Sequence, residues 1–218
     1  MLFHYFFTSN TAIEMLCFLM AVICLLKDKN RVWKYFGFYL LIVCLAELSA
    51  IYLRRFLHHN NQWPYNISMI FEAGFISLMF NNLFNYYFNS KKYIIGGLLL
   101  LFIVYIIDIR IHGFMFFNYN TNNIMSVLFS LYALCYFYLL LKDDSYVDLK
   151  FSADFWWVMG VLLFYFGSTA IDLYWGKDES QAKQILSSYI LKVLIILLYG
   201  CWSYSFICRK WLSSIPKA

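Results

Sequence analysis

The chain has 218 residues, 63% of them hydrophobic and only 13% charged, with a net charge of +5. A soluble domain carries about a quarter charged residues, so this composition excludes a water-soluble globular fold and points to a bilayer. The positive balance calls for no nucleic-acid partner, because the basic residues fall where membrane topology places them.

A spanning helix needs about 20 mostly apolar residues. Seven such segments lie between the charge clusters, at 7–26, 32–53, 65–88, 93–109, 124–141, 155–175 and 185–207. The first 26 residues hold no Lys or Arg and include Glu14. That suits a retained helix better than a cleavable signal peptide, which carries a basic start. The second segment contains Glu47 and runs into "LRRFLHHNNQW", where Arg54, Arg55, His58 and His59 form an outer rim. This rim reads as a solvated interfacial loop, with a lid or lipid-headgroup contact as the functional alternative. The third segment, "WPYNISMIFEAGFISLMF", carries a single acid, Glu72, with Ser68 one turn before it. Asn66-Ile67-Ser68 matches a glycosylation acceptor, but it starts at the membrane edge, out of a modifying enzyme's reach. Asn81, Asn82 and Asn85 are expected to cap or hydrate the far end of this helix.

The fourth and fifth segments are short, and "RIHGFMFFNYNTNN" between them has room for a re-entrant or interfacial piece. Asp108 ends the fourth. In the sixth, Ser168 and Thr169 precede Asp172 by four and three residues. Ser188 likewise precedes Lys192 by four in the seventh. The six cysteines lie in or at the ends of apolar segments with no CxxC pair, as expected of small buried hydrophobes rather than disulfide or zinc ligands. Trp33, Trp63, Trp157, Trp175 and Trp211 fall near span ends, where interfacial anchors belong.

Orientation follows from Lys and Arg in alternate loops. Lys27, Lys29, Arg31, Lys34, Lys91, Lys92, Lys142, Lys150, Arg209, Lys210 and Lys217 make eleven on one side. Arg54, Arg55, Arg110, Lys177 and Lys183 make five on the other. The amino terminus is therefore expected outside and the carboxyl terminus in the cytoplasm. The reading is an all-α, polytopic membrane helical bundle of seven transmembrane helices, forming a single domain over 1–218.

The ionisable residues then share a depth. At 1.5 Å per residue, Glu14, Glu47, Glu72 and Lys192 each lie roughly 10 Å below the outer surface, on four different helices. Asp108 and Asp172 are shallower, and His4, His58, His59 and His112 fall in outer segments. Asp143, Asp144, Asp148 and Asp154 belong to the cytoplasmic edge. A charge in lipid costs on the order of 3 kcal/mol, so these groups should face inward and find partners. One reading is packing glue, with Lys192 pairing one glutamate. The other is an outward-facing acidic pocket lined by Glu14, Glu47, Glu72, Lys192, Asp172, Asp108, Ser68 and Ser188. Three carboxylates to one lysine favour the pocket, which would take a cationic ligand, a metal or shared protons.

No P-loop, HExxH or GxSxG pattern occurs. No span interior contains proline and no repeat relates the halves, which disfavours a transporter. A lysine on the last of seven helices resembles a microbial rhodopsin, and that resemblance would imply retinal on Lys192, Glu72 as counter-ion and Trp156 or Trp157 as pocket wall. The sequence departs from it: Ser188 stands where an acid is needed, and the third helix lacks the arginine-aromatic-acid signature. No cofactor is expected. Likeness to alkaline-ceramidase-type hydrolases stops at the seventh segment, "ILSSYILKVLIILLYGCWSYSF", which lacks their paired histidines. The stretch "AELSAIYLRRFLHHNNQWPYNISMIFEAGF" resembles small seven-span membrane proteins of Bacteroidetes, and over about thirty residues it implies a bacterial inner-membrane location. The expectation is a ligand- or lipid-binding sensor or accessory subunit acting with another membrane or signalling protein. The alternatives are an intramembrane lipid hydrolase using Glu/Asp acid-base chemistry and an ion-conducting or membrane-disrupting defence effector.

Overall fold

The computed structural model describes residues 8–143, 148–175 and 181–212. His4, Phe7, Asp144, Lys177 and Lys217, which entered the topology reading, lie outside them. Among the described residues all regular structure is helical. The helices are α1 (Ser9–Leu25), α2 (Arg31–Tyr52), α3 (Trp63–Phe84), α4 (Lys91–His112), α5 (Tyr119–Lys142), α6 (Ala153–Trp175) and α7 (Gln181–Ile207). Six of them are long and apolar enough to cross a membrane; α1, with 17 residues, is shorter. Large apolar side chains such as Leu16, Phe38, Phe102 and Phe166 stand exposed on the helix surfaces. An apolar exterior of that kind needs hydrocarbon around it, so the chain is a multi-pass membrane protein.

The helix ends have local causes. Thr8 caps α1 by accepting the Thr11 amide, and Asn30 caps α2 by accepting that of Val32. Each satisfies one of the amides a helix start leaves unpaired. Beyond Tyr52 the helix continues as one π-helical turn, Leu53–Leu57, and stops at His58, whose φ of 51° is left-handed. Pro64 starts α3, where its missing N–H costs nothing. Gly113, with φ 84°, ends α4.

The fourth and fifth helices are longer than their apolar cores. Segment 110–123, where the sequence leaves room for a re-entrant or interfacial piece, is mostly absorbed by α4 and α5, leaving the connection 113–118. Of the three asparagines at the far end of α3, Asn85 is its C-cap residue, and all three side chains accept hydrogen bonds. Ser90 Oγ donates to Asn81 Oδ1 at 3.0 Å and to Asn85 Oδ1 at 3.1 Å, while Asn82 Oδ1 accepts from Asn30.

The chain forms two compact units, one ending at Met125 and one beginning at Ser126. In the first, α1 packs on α2, α2 on α3 and α3 on α4. The α2–α3 seam is aromatic: Phe75 stacks on Tyr39 at 4.6 Å and meets Phe36 edge-on at 4.8 Å. In the second, α6 and α7 form a closely packed hairpin. A Cβ on Gly160 would lie 3.0 Å from Cys201 Cβ, and one on Gly167 2.7 Å from the Leu194 side chain. Small residues at such positions let membrane helices approach. Trp157 stacks on Trp202 at 6.5 Å beside this seam. Trp33 and Trp157, expected as interfacial anchors, are instead fully buried core residues, whereas Trp211 is exposed. Of the cysteines, Cys17, Cys24, Cys44 and Cys208 are buried, while Cys135 is exposed.

Candidate functional site

A stripe of small and polar residues on α1, namely Thr11, Glu14, Cys17, Ala21 and Cys24, is buried. Its spacing of three to four residues puts it on one helix face. On α2 the matching stripe runs Phe36, Tyr39, Leu40 and Cys44 and reaches Glu47 one turn later. The packing of α1 on α2 sets Glu14 beside Glu47, and that of α2 on α3 brings Glu72 within reach of Tyr39, which also faces Glu14.

Glu14 is 8% exposed, and its Oε2 is buried with no hydrogen-bond partner. Glu47 is half-buried. Its Oε2 accepts from the Tyr65 hydroxyl at 2.7 Å, and its Oε1 takes a long 3.5 Å bond from Thr11 Oγ1. Thr11 Oγ1 is itself 2.7 Å from Thr8 Oγ1. Glu14 and Glu47 lie within electrostatic reach of each other. The buried Tyr39 stands within reach of both Glu72 and Glu14, and Tyr65 within reach of Glu47, Glu14 and Arg54. Asn10 Oδ1 is a further buried oxygen without a partner. Ser68 is buried one turn from Glu72. The carboxylates are neighbours without being chelators, since no three His, Cys, Asp or Glu side chains among the described residues gather closely enough to hold a metal.

Lys192, Asp172 and Ser188 belong to the second unit, and all three are exposed. The Lys192 ammonium lies over the ring of Tyr189, one turn away, at 5.3 Å. Ser168 and Thr169 both donate back to the Tyr165 carbonyl, a local bond that occupies their hydroxyls. The rim residues Arg54, Arg55, His58 and His59 are exposed on and after the π-helical turn.

Asp108 is 1% exposed and has its own network. Its Oδ2 accepts from the Thr121 amide at 2.9 Å and the Thr121 hydroxyl at 3.0 Å. Its Oδ1 accepts from Asn120 at 2.8 Å, with His112 Nδ1 at 3.2 Å. It thus caps the start of α5 from the end of α4. Asn66, weighed in the sequence only as a glycosylation acceptor, is fully buried. Its Nδ2 donates to the carbonyls of Phe114 and Phe116, its Oδ1 accepts from the Asn118 amide, and its carbonyl accepts from Tyr105. Gln62 accepts from the Phe117 amide and Asn60 donates to Met115 O. The available signal was the run of amide side chains at 60–66 opposite a second run at 118–123.

The cluster around Tyr39 can accept hydrogen bonds and positive charge at several oxygens while offering few donors. No protein-family model matches the chain, and no curated protein or solved structure matches it either.

Proposed function

We propose that the chain crosses a bacterial cytoplasmic membrane seven times, amino terminus outside, and that the seam of Glu14, Glu47 and Glu72 receives a small organic cation. In this reading it is a sensor or accessory subunit, and the short loops between its helices call for a membrane partner to carry the signal. Tyr39 and Tyr65 wall the site, and Arg54 at its mouth limits access. The observation that carries the proposal is Glu14 Oε2, buried beside a second carboxylate and lacking a partner. An unsatisfied buried carboxyl oxygen costs several kcal/mol, a cost that an ammonium or another donor would offset.

Glu14→Gln keeps the shape and removes the group able to carry a negative charge. It is expected to raise the melting temperature of the detergent-solubilised protein by a few degrees, an effect on the order of 1 kcal/mol. It should also abolish the further stabilisation that tetramethylammonium or spermidine gives the wild type. Equal shifts in both proteins would remove the receptor reading. The 2.7 Å Tyr65–Glu47 hydrogen bond gives a second reading some ground, because a carboxylate paired with a phenol can move a proton in an intramembrane lipid hydrolase. That enzyme would show lipid turnover lost in Glu47→Gln, with no amine dependence.

A further inference from the structure

We infer that a groove between α3, α4 and α5 holds one acyl chain of an anionic bilayer glycerophospholipid, with Arg110 meeting its phosphate. The groove is a half-open cavity of about 430 Å³ within the first unit. Ala73 and Gly74 form its α3 wall, Leu99 and Phe102 its α4 wall, and Met125 its α5 wall. It exists because a side chain is missing: a Cβ placed on Gly74 meets nothing within 4 Å. Only two hydroxyls reach the lining, and both are already committed. Tyr105 donates to Asn66 O at 3.2 Å and Thr121 to Asp108 Oδ2 at 3.0 Å. A polar ligand would find no donor there, whereas hydrocarbon needs none.

Apolar lining alone selects nothing inside a bilayer, where every neighbour is equally apolar. Selection comes from the groove's length and from what stands at its mouth. Ile95, Leu99, Phe102 and Ile106 follow one face of α4 along the groove, and the next residue of that face is Arg110. The run from Ile95 to Ile106 spans roughly 16 Å, about half of a hydrocarbon core of about 30 Å. The groove is therefore one leaflet deep, and Arg110, exposed in the last turn of α4, sits at headgroup level. A guanidinium binds a phosphate diester through paired hydrogen bonds. A headgroup without a compensating ammonium is favoured over a zwitterionic one. The inference does not rest on the acidic seam, although Glu72 shares α3 with Ala73 and Gly74, and needs only that these helices cross the membrane.

The test uses the full chain in phosphatidylcholine nanodiscs doped with a phosphatidylglycerol probe bearing a diazirine on its acyl chain. Adducts mapped by mass spectrometry are expected to concentrate on Ala73 and Met125 over the exposed α2 residues Phe38 and Leu45. Gly74→Leu, which enters open space, should erase that preference while the protein stays folded; Ala73→Leu fills the groove from the adjacent position and repeats the test. Arg110→Gln should lower the advantage of unlabelled phosphatidylglycerol over phosphatidylcholine as competitor by about tenfold, the loss of one charge-assisted contact. Adducts spread evenly over α2–α5 would mean annular lipid only and overturn the inference. So would labelling that survives both filling variants, or displacement of the probe by inorganic phosphate, which would mark a site for a free anion.

Discussion

Replacing Asp108 with alanine is expected to destabilise the first unit by on the order of 3 kcal/mol, among the largest effects of any single polar substitution there. The carboxylate is almost wholly buried and reaches across the 113–118 connection to donors at the start of α5. Without it, the Thr121 amide and hydroxyl both lose their acceptor in a buried place. A buried donor left unpaired costs more than the bond it made. The start of α5 would also lose its cap, and with it the polar residues that sequence periodicity left outside the helix. Asp108→Asn keeps one acceptor oxygen and the shape, so it should cost clearly less than alanine. Asn120→Ala, which removes only one donor, should cost less than about 1 kcal/mol, the net value of a single hydrogen bond. Reversible unfolding in mixed micelles ranks the three. An alanine variant as stable as the wild type would mean that water replaces the network freely.

A comparable loss is expected from Gly160→Leu in the second unit, and its contrast with Gly167 is the sharper test. Distance alone ranks Gly167 as the tighter site, since an added Cβ would fall 2.7 Å from Leu194. Those contacted atoms, however, are the ends of a flexible side chain that can rotate away. At Gly160 the added atom meets Cys201 Cβ at 3.0 Å and the Leu198 carbonyl oxygen at 3.2 Å, which move only if the helices part. Gly160→Leu should therefore cost about 3 kcal/mol or more by overpacking, and Gly167→Ala well under that. Melting temperatures of the two variants decide it. The reverse order would show that α6 and α7 separate easily and that the Leu194 pocket is the rigid part.

The helices were legible in the sequence because apolar length is read by counting along the chain. Apolar length marks six of the helices as long enough to cross a membrane. Azimuth and tertiary capping were harder to read. Trp33 and Trp157 lie near helix ends and so pass for interfacial anchors, yet packing rotates them into the core. The stretch 119–123 is rich in asparagine and reads as a loop. It is helical because Asp108, eleven or more residues earlier, accepts the amide that a local cap would otherwise hold. Asn66 looks like a modification signal until Phe114 and Phe116 are seen to offer their carbonyls to it. For the start of α5 and for Asn66 the deciding partner is distant in sequence.

The anchoring of 113–118 by Asn60, Gln62 and Asn66 has a practical consequence. Phe114, Met115 and Phe116 project from a backbone whose carbonyls are tied down, so this turn presents a fixed hydrophobic shape rather than a pliable string. Recombinant antibodies raised to it would grip a conformation that the corresponding synthetic peptide never holds, and their retention would track how much of a preparation is correctly assembled.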